Sequence, residues 1–329
     1  MEILYFLESI RTPFFDTLFS IVTNLGAEVA FLAVLMLVYW CIDKKRGLYM
    51  MFAGFCGTVV CQVLKMTLCV PRPFERDPDF TIVEQAREGA NDYSFPSGHS
   101  QTAASTYGSL ARCFRHRWLR WVSGVLIALV VFSRLYLGVH TIWDVMAGTA
   151  IGLASSLLLW PLFRDMDAHP VRTRRLFIGV VLVAVACTVY AQLRINSGQV
   201  TGQYATGTIK NMYTMVGASI GLVVSYFLDQ RFIHMDPQAP LPGQVLKLLV
   251  GFGLVMLVRT VLKAPINALT GGAAYGSGIR YFIVAMVAGT LWPITFPLWK
   301  RVGAKRPAAA EPDAQGEAAG EDAKAGPTR

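Results

Sequence analysis

The stretch 118-WLRWVSGVLIALVVFSRLYLGVHTIWDVMAGTAIGLASSLLLWPLF-163 decides the fold. It holds two long apolar runs, residues 118–138 and 141–163. Crossing the ~30 Å hydrocarbon core of a bilayer takes about 20 apolar residues in a helix. Each run is continuous rather than alternating, which fits a helix and not a strand of a membrane barrel. Ser133, Arg134, His140 and Asp144 sit inside or between the runs. Ionisable side chains at that depth are costly and mark function by default.

Similar runs recur on both sides, at about 26–42, 47–70, 98–113, 176–193, 210–228, 245–264 and 280–299, so nine spans are expected. The composition agrees. The chain has 329 residues, 54% of them hydrophobic and 16% charged, against about 25% charged in a soluble domain. That excludes an ordinary water-soluble enzyme and a disordered protein. Residues 1–24 mix aromatic and aliphatic side chains with Glu2, Glu8, Arg11, Pro13 and Asp16, and read as amphipathic helices on the membrane surface. The start, Met-Glu-Ile-Leu, has no basic segment, so a cleaved signal peptide is not expected. The residues from 303 onward are too polar to fold alone and are expected to be disordered.

The net charge of +9 comes from 30 Lys and Arg against 21 Asp and Glu. Most of the excess falls into alternate connections: Lys44 to Arg46, Arg112 to Arg120 (Arg115 included), Arg164 to Arg175, Arg231 with Lys247, and Lys300 to Arg306. With nine spans these share one side, which the positive-inside rule makes cytoplasmic. The N-terminus is then outside and the C-terminus inside. No nucleic-acid partner is needed to explain the charge. Six cysteines lie in or beside apolar runs without a Cys-x-x-Cys pair, and are expected to pack as small hydrophobes.

Three polar groups remain, and all map to the outer face: Lys65 with Arg72-Pro73, then Pro96-Ser97-Gly98-His99, then Ser133-Arg134 with His140 and Asp144. Lys65, Arg72 and Arg134 can neutralise a phosphate, the arginines with bidentate donors. Ser97 and Gly98 open a helix, whose N-terminus favours an anion. His140 and Asp144 are four apart and share a helix face, so the carboxylate can orient one ring nitrogen and leave the other free to attack. His99 is placed to act as general acid and then base. Taken singly, each group has a bland reading: a snorkelling Lys, an Arg-Pro turn, a Ser cap, a satisfied His–Asp pair. A metal site fits less well, because the neighbouring cations would repel it. Together the groups suit metal-free phosphoryl transfer, with no cofactor, through a phosphohistidine on His140.

The pattern Lys65-x₆-Arg72-Pro73, Pro96-Ser97-Gly98-His99 and Ser133-Arg134-x₅-His140-x₃-Asp144 resembles the three-part signature of the type 2 phosphatidic acid phosphatase superfamily. The resemblance implies an all-α, polytopic transmembrane bundle. It further implies that Lys65, Arg72, Ser97, Gly98 and Arg134 bind phosphate, His99 is the acid, and His140 with Asp144 is the nucleophile pair. Expected domains are an interfacial segment 1–24, a six-helix phosphatase core 25–193, a transmembrane extension 194–302 of about three spans, and the tail 303–329. The implied activity is hydrolysis of a lipid phosphate or pyrophosphate, such as polyprenyl pyrophosphate, phosphatidate or phosphatidylglycerophosphate. Alternatives are a phosphotransferase, a sphingoid-phosphate or sugar-phosphate phosphatase, and a non-enzymatic lipid-phosphate transporter. The expected location is a bacterial inner membrane, with the site on the periplasmic face. In the extension, Arg259 and Lys263 are four apart on one helix face near the outside. They are either snorkelling side chains or a second headgroup contact.

Overall fold

Fourteen α-helices make up the described part of the chain: residues 1–87, 89–90, 92–114 and 116–303 of a computed structural model. They are α1 (Glu2–Ser9), α2 (Pro13–Val22), α3 (Glu28–Leu37), α4 (Lys44–Leu68), α5 (Pro73–Arg76), α6 (Gly98–Cys113), α7 (Arg117–Tyr136) and α8 (Ile142–Arg164). The rest are α9 (Pro170–Asn196), α10 (Gly202–Leu228), α11 (Leu241–Val261), α12 (Lys263–Leu269), α13 (Tyr275–Met286) and α14 (Phe296–Trp299). The described residues contain no strand. Arg115 and the expected disordered tail beyond residue 303 lie outside the described residues.

Seven helical segments are long and apolar enough to cross a membrane. An eighth forms if Pro13–Gly26 and Glu28–Ile42 count together as one span, bent by 50° at Ala27. The ninth expected span, α6, has 16 residues. It is short and rich in Ser and Thr, so it does not qualify by length and composition. It is nonetheless central, packed against α4, α7 and α8. Neighbouring helices, not lipid, satisfy its polar face. Tyr49, Phe52, Phe163 and Phe177 form a buried aromatic cluster joining α4, α8 and α9.

Local chemistry sets the ends that matter. Asp43 caps α4 by accepting from the backbone N–H groups of Lys45 (2.8 Å) and Arg46 (3.0 Å). Cys69, in the left-handed conformation (φ 48°), ends it by returning its N–H to the Lys65 carbonyl. Ser97 caps α6, and Thr141 caps α8 in a capping box with Asp144. Gly148 lets α8 lie against the start of α6: a Cβ there would stand 2.3 Å from the Ser97 carbonyl oxygen. The extension packs through α10, which lies against α9 on one side and α13 on the other.

Two basic side chains end inside the protein. Lys247, expected to flank a cytoplasmic loop, is fully buried in α11; its ammonium donates to the Pro237 carbonyl at 2.7 Å and lies 4.4 Å from the Phe296 ring centre. Its long stem is apolar and reaches a polar loop from inside the bundle. Arg194 lies in the last turn of α9. It donates to the Met66 and Thr67 carbonyls, both at 3.0 Å, and so covers the open end of α4.

Candidate active site

The capping interactions above bring the sequence groups together. Asp144 sits in the first turn of α8, where its Oδ2 accepts from the Thr141 N–H at 2.7 Å. One turn earlier in sequence, His140 lies just before the helix, with Nδ1 3.6 Å from Asp144 Oδ2. Ser94 bridges the two: its hydroxyl donates to Asp144 Oδ2 at 2.6 Å and stands 3.4 Å from His140 Nδ1. The Ser94 oxygen can therefore accept an Nδ1–H while its own proton goes to the carboxylate. That leaves Nε2 with the free lone pair. The Ser97 N–H donates to the Asp144 carbonyl at 2.9 Å, which ties the first turn of α8 to the start of α6.

Arg72 stands over the nucleophile. Its Nη1 is 3.3 Å from His140 Nε2 and donates to the Val139 carbonyl at 3.1 Å. On its other edge Nε donates to the Asp92 carbonyl (2.8 Å) and Nη2 to Asp92 Oδ1 (2.7 Å). Lys65 reaches the same carboxylate oxygen at 3.3 Å and donates to the Tyr93 carbonyl. Asp92 thus places one anionic oxygen between two cations. Partial burial works to raise its carboxyl pKa, but Lys65 and Arg72 outweigh it and hold the group below the ordinary 3.8.

Arg134 approaches from α7. Only Nη1 has a protein partner among the described residues, the Thr23 hydroxyl at 2.9 Å. Nε and Nη2 are buried without one, although the side chain is 2% exposed. Buried guanidinium donors are normally satisfied, so two left free call for an anionic acceptor. The short turn Thr23–Gly26, next to the bend, also meets His99: a Cβ on Gly26 would lie 2.7 Å from the His99 carbonyl oxygen. Arg134 and His99 therefore flank one turn of the N-terminal segment. His99 is half-buried in the first turn of α6. A Cβ on Gly98 would meet no protein atom within 4 Å, so nothing crowds that side of the backbone.

All eight core residues read from the sequence fall in this cluster: Lys65, Arg72, Ser97, Gly98, His99, Arg134, His140 and Asp144. Arg259 and Lys263 do not join it. They belong to separate helices, because α11 ends at Val261 and α12 begins at Lys263. Arg259 is committed to Glu28 at 3.1 Å and to the Tyr281 hydroxyl at 3.2 Å, while Lys263 is exposed. Sequence reading missed Ser94, Asp92 and Thr23. Only the crowding of polar residues in the 71–97 connection hinted at the first two.

Residues 45–167 match the model of the PAP2 superfamily, and residues 213–304 match that of the PAP2 superfamily phosphatase transmembrane extension. Lipid A 4'-phosphatase of Porphyromonas gingivalis is 28% identical over 155 residues, 45% of this chain and 65% of that one. A probable sphingosine-1-phosphate phosphatase of Dictyostelium discoideum is 26% identical over 275 residues, 79% of this chain and 64% of that one. The chain thus spans just under two thirds of the length of these relatives. The crystal structure of a transmembrane PAP2-type phosphatidylglycerolphosphate phosphatase from Bacillus subtilis is 27% identical, covering 50% of this chain and 84% of that one with a TM-score of 0.43. With both family models matched and every signature residue gathered in one cluster, the chain belongs to the PAP2 superfamily.

Proposed function

We propose that this protein is an integral membrane phosphatase acting on a lipid phosphate or pyrophosphate, with its site at the outer face of the membrane. The observation that carries the reading is the pair of unpartnered Arg134 donors, set with Lys65 and Arg72 around the oriented His140. The relatives' names, lipid A phosphatase and sphingosine-phosphate phosphatase, support a lipid substrate. The alternation of basic connections supports the sidedness. The likeness to the Dictyostelium protein covers too much of the chain to be confined to the phosphatase core, which supports reading core and extension as one working unit.

In the proposed reaction His140 Nε2 attacks phosphorus as the bond to the lipid oxygen breaks. His99 gives that oxygen its proton. His99 then takes a proton from water, and the water oxygen attacks the phosphohistidine. The P–N bond breaks and inorganic phosphate leaves. Ser94 and Asp144 keep the proton on Nδ1, so Nε2 is the attacking atom. Lys65, Arg72 and Arg134 stabilise charge on the phosphoryl oxygens, where preorganised donors act most strongly. Phosphate reaching the cradle displaces the Asp92 carboxylate from Lys65 and Arg72.

The test is phosphate release from a panel of lipid phosphates in detergent with chelator present. Release is expected from at least one lipid. His140→Ala is expected to abolish release, and with it the acid-labile label trapped on the wild-type enzyme. Full activity in His140→Ala would refute the mechanism.

A further inference from the structure

A half-open cavity of about 410 Å³ lies between the core and the extension, lined mainly by α3, α4, α10 and α13. It is well above the ~150 Å³ that accommodates a benzene ring, and falls in the size range of ligand sites. It is elongated. Along α4 its lining runs from Leu48 to Gln62, about 21 Å at the helical rise per residue. Phe31, Leu35, Leu222 and Val284 line its depth. Thr58, Gln62, Thr102 and Thr214 gather toward its outer end.

That outer end adjoins the phosphate cradle. Gln62 precedes Lys65 by one helical turn on α4, and Thr102 follows His99 by one turn on α6, so each pair shares a helix face. A lipid with its phosphate among Lys65, Arg72 and Arg134 has this opening within about one turn of its reacting group. The inner end stops at Trp40, whose ring nitrogen donates to the Ala288 carbonyl at 3.0 Å. The passage is thus polar at the mouth, mostly apolar along its length, and ends beside Trp40.

We infer that one hydrocarbon chain of the phosphorylated lipid occupies this cavity, which makes the extension a gauge of chain length. The inference rests on the phosphatase reading above. A chain leaving the bilayer gains no hydrophobic free energy by entering an equally apolar cavity. The cavity therefore selects by shape and depth. For alkyl phosphates presented as monomers from water, each methylene buried is worth up to roughly fourfold in kcat/KM.

The experiment measures kcat/KM for butyl, octyl and dodecyl phosphate with wild type, Ala218→Phe and Ala288→Phe. Ala218 lines the middle of the cavity on α10, and Ala288 lines its inner end. Wild type should gain with chain length. Ala218→Phe should lose at least about tenfold on dodecyl phosphate and under about twofold on butyl phosphate. Ala288→Phe should cut in only at the longer chain. Unchanged butyl turnover shows that the variants fold. Parallel chain-length profiles in all three proteins would overturn the inference. A second readout is independent of turnover: hexadecyl phosphate with a terminal diazirine should label α3, α10 or α13 of the wild type, and less so in Ala288→Phe. Labelling confined to α7 would overturn it. If the wild type is labelled in the cavity but releases phosphate from nothing, the phosphatase reading falls and the chain site stands.

Discussion

Two places in the molecule bury charge, and they do it differently. At the end of the bundle away from the signature cluster, the buried charges end on protein partners. Asp229 is 2% exposed; one of its oxygens accepts from Lys44 at 2.6 Å and the other from the Met235 N–H at 2.8 Å. Lys247 ends on a carbonyl and an aromatic face. At the signature cluster the charges stay open. Two buried donors of Arg134 lack partners, and Lys65 and Arg72 share a single carboxylate. Both regions carry the desolvation cost of buried charge. Only the first recovers it within the protein, as a structural joint must. The signature cluster leaves the recovery to a ligand, which is how a binding site differs from a clamp.

This contrast can be broken by exchanging the two behaviours. Arg134→Met should lower kcat/KM by roughly 10²–10³-fold, the range for loss of a transition-state donor. Its melting temperature should stay level or rise, because a neutral side chain removes two unsatisfied donors. A sharp fall in melting temperature would mean that Arg134 is a strut. Asp229→Ala should do the reverse. It strands Lys44 and the Met235 amide, costing about 3 kcal/mol of stability. Activity per folded molecule should change by less than about twofold, so thermal melting and phosphate release separate the two variants.

Smaller effects sharpen the picture within the signature cluster. Ser94→Ala removes the bridge between His140 and Asp144 and should cost about tenfold in kcat, the worth of one charge-linked hydrogen bond. KM should hold, and Ser94→Thr should recover part of the loss. An equal rise in KM would assign Ser94 to substrate binding instead. Asp92→Asn should strengthen inhibition by inorganic phosphate and vanadate severalfold, since the internal competitor for Lys65 and Arg72 loses its charge. Acid titration of the substrate-free protein gives a second reading of that pair. The Asp92 carboxyl lies below its ordinary value in the fold, so its stabilisation is complete above the ordinary 3.8 and is lost as pH falls through the lowered value. The Asn variant should lack that acid limb.

Helices and signature residues were legible because they obey local rules. Long apolar runs name spans, and an ionisable residue inside one draws the eye. His140 and Asp144 share a helix face by spacing alone. Ser94, Asp92 and Thr23 obey no such rule. Each is a polar residue in a polar connection, and only the packing of α4, α6, α7 and α8 turns it toward a charged neighbour. The bend at Ala27 falls beside the expected boundary between residues 24 and 26, where Gly26 interrupts the helix; only its 50° angle went unread. Glu28 and Arg259 pair across 231 positions, a distance over which no periodicity operates.

The N-terminal turn has a practical consequence for inhibitor chemistry. The matched family region begins at residue 45, whereas Thr23, which holds Arg134, and Gly26, which abuts His99, lie ahead of it. A phosphate mimic aimed at the cradle alone grips residues of the shared signature and will cross-react with related enzymes. One elaborated from Arg134 toward Thr23 touches a wall that this chain builds from outside the signature. Potency can come from the common cations, and selectivity from that turn.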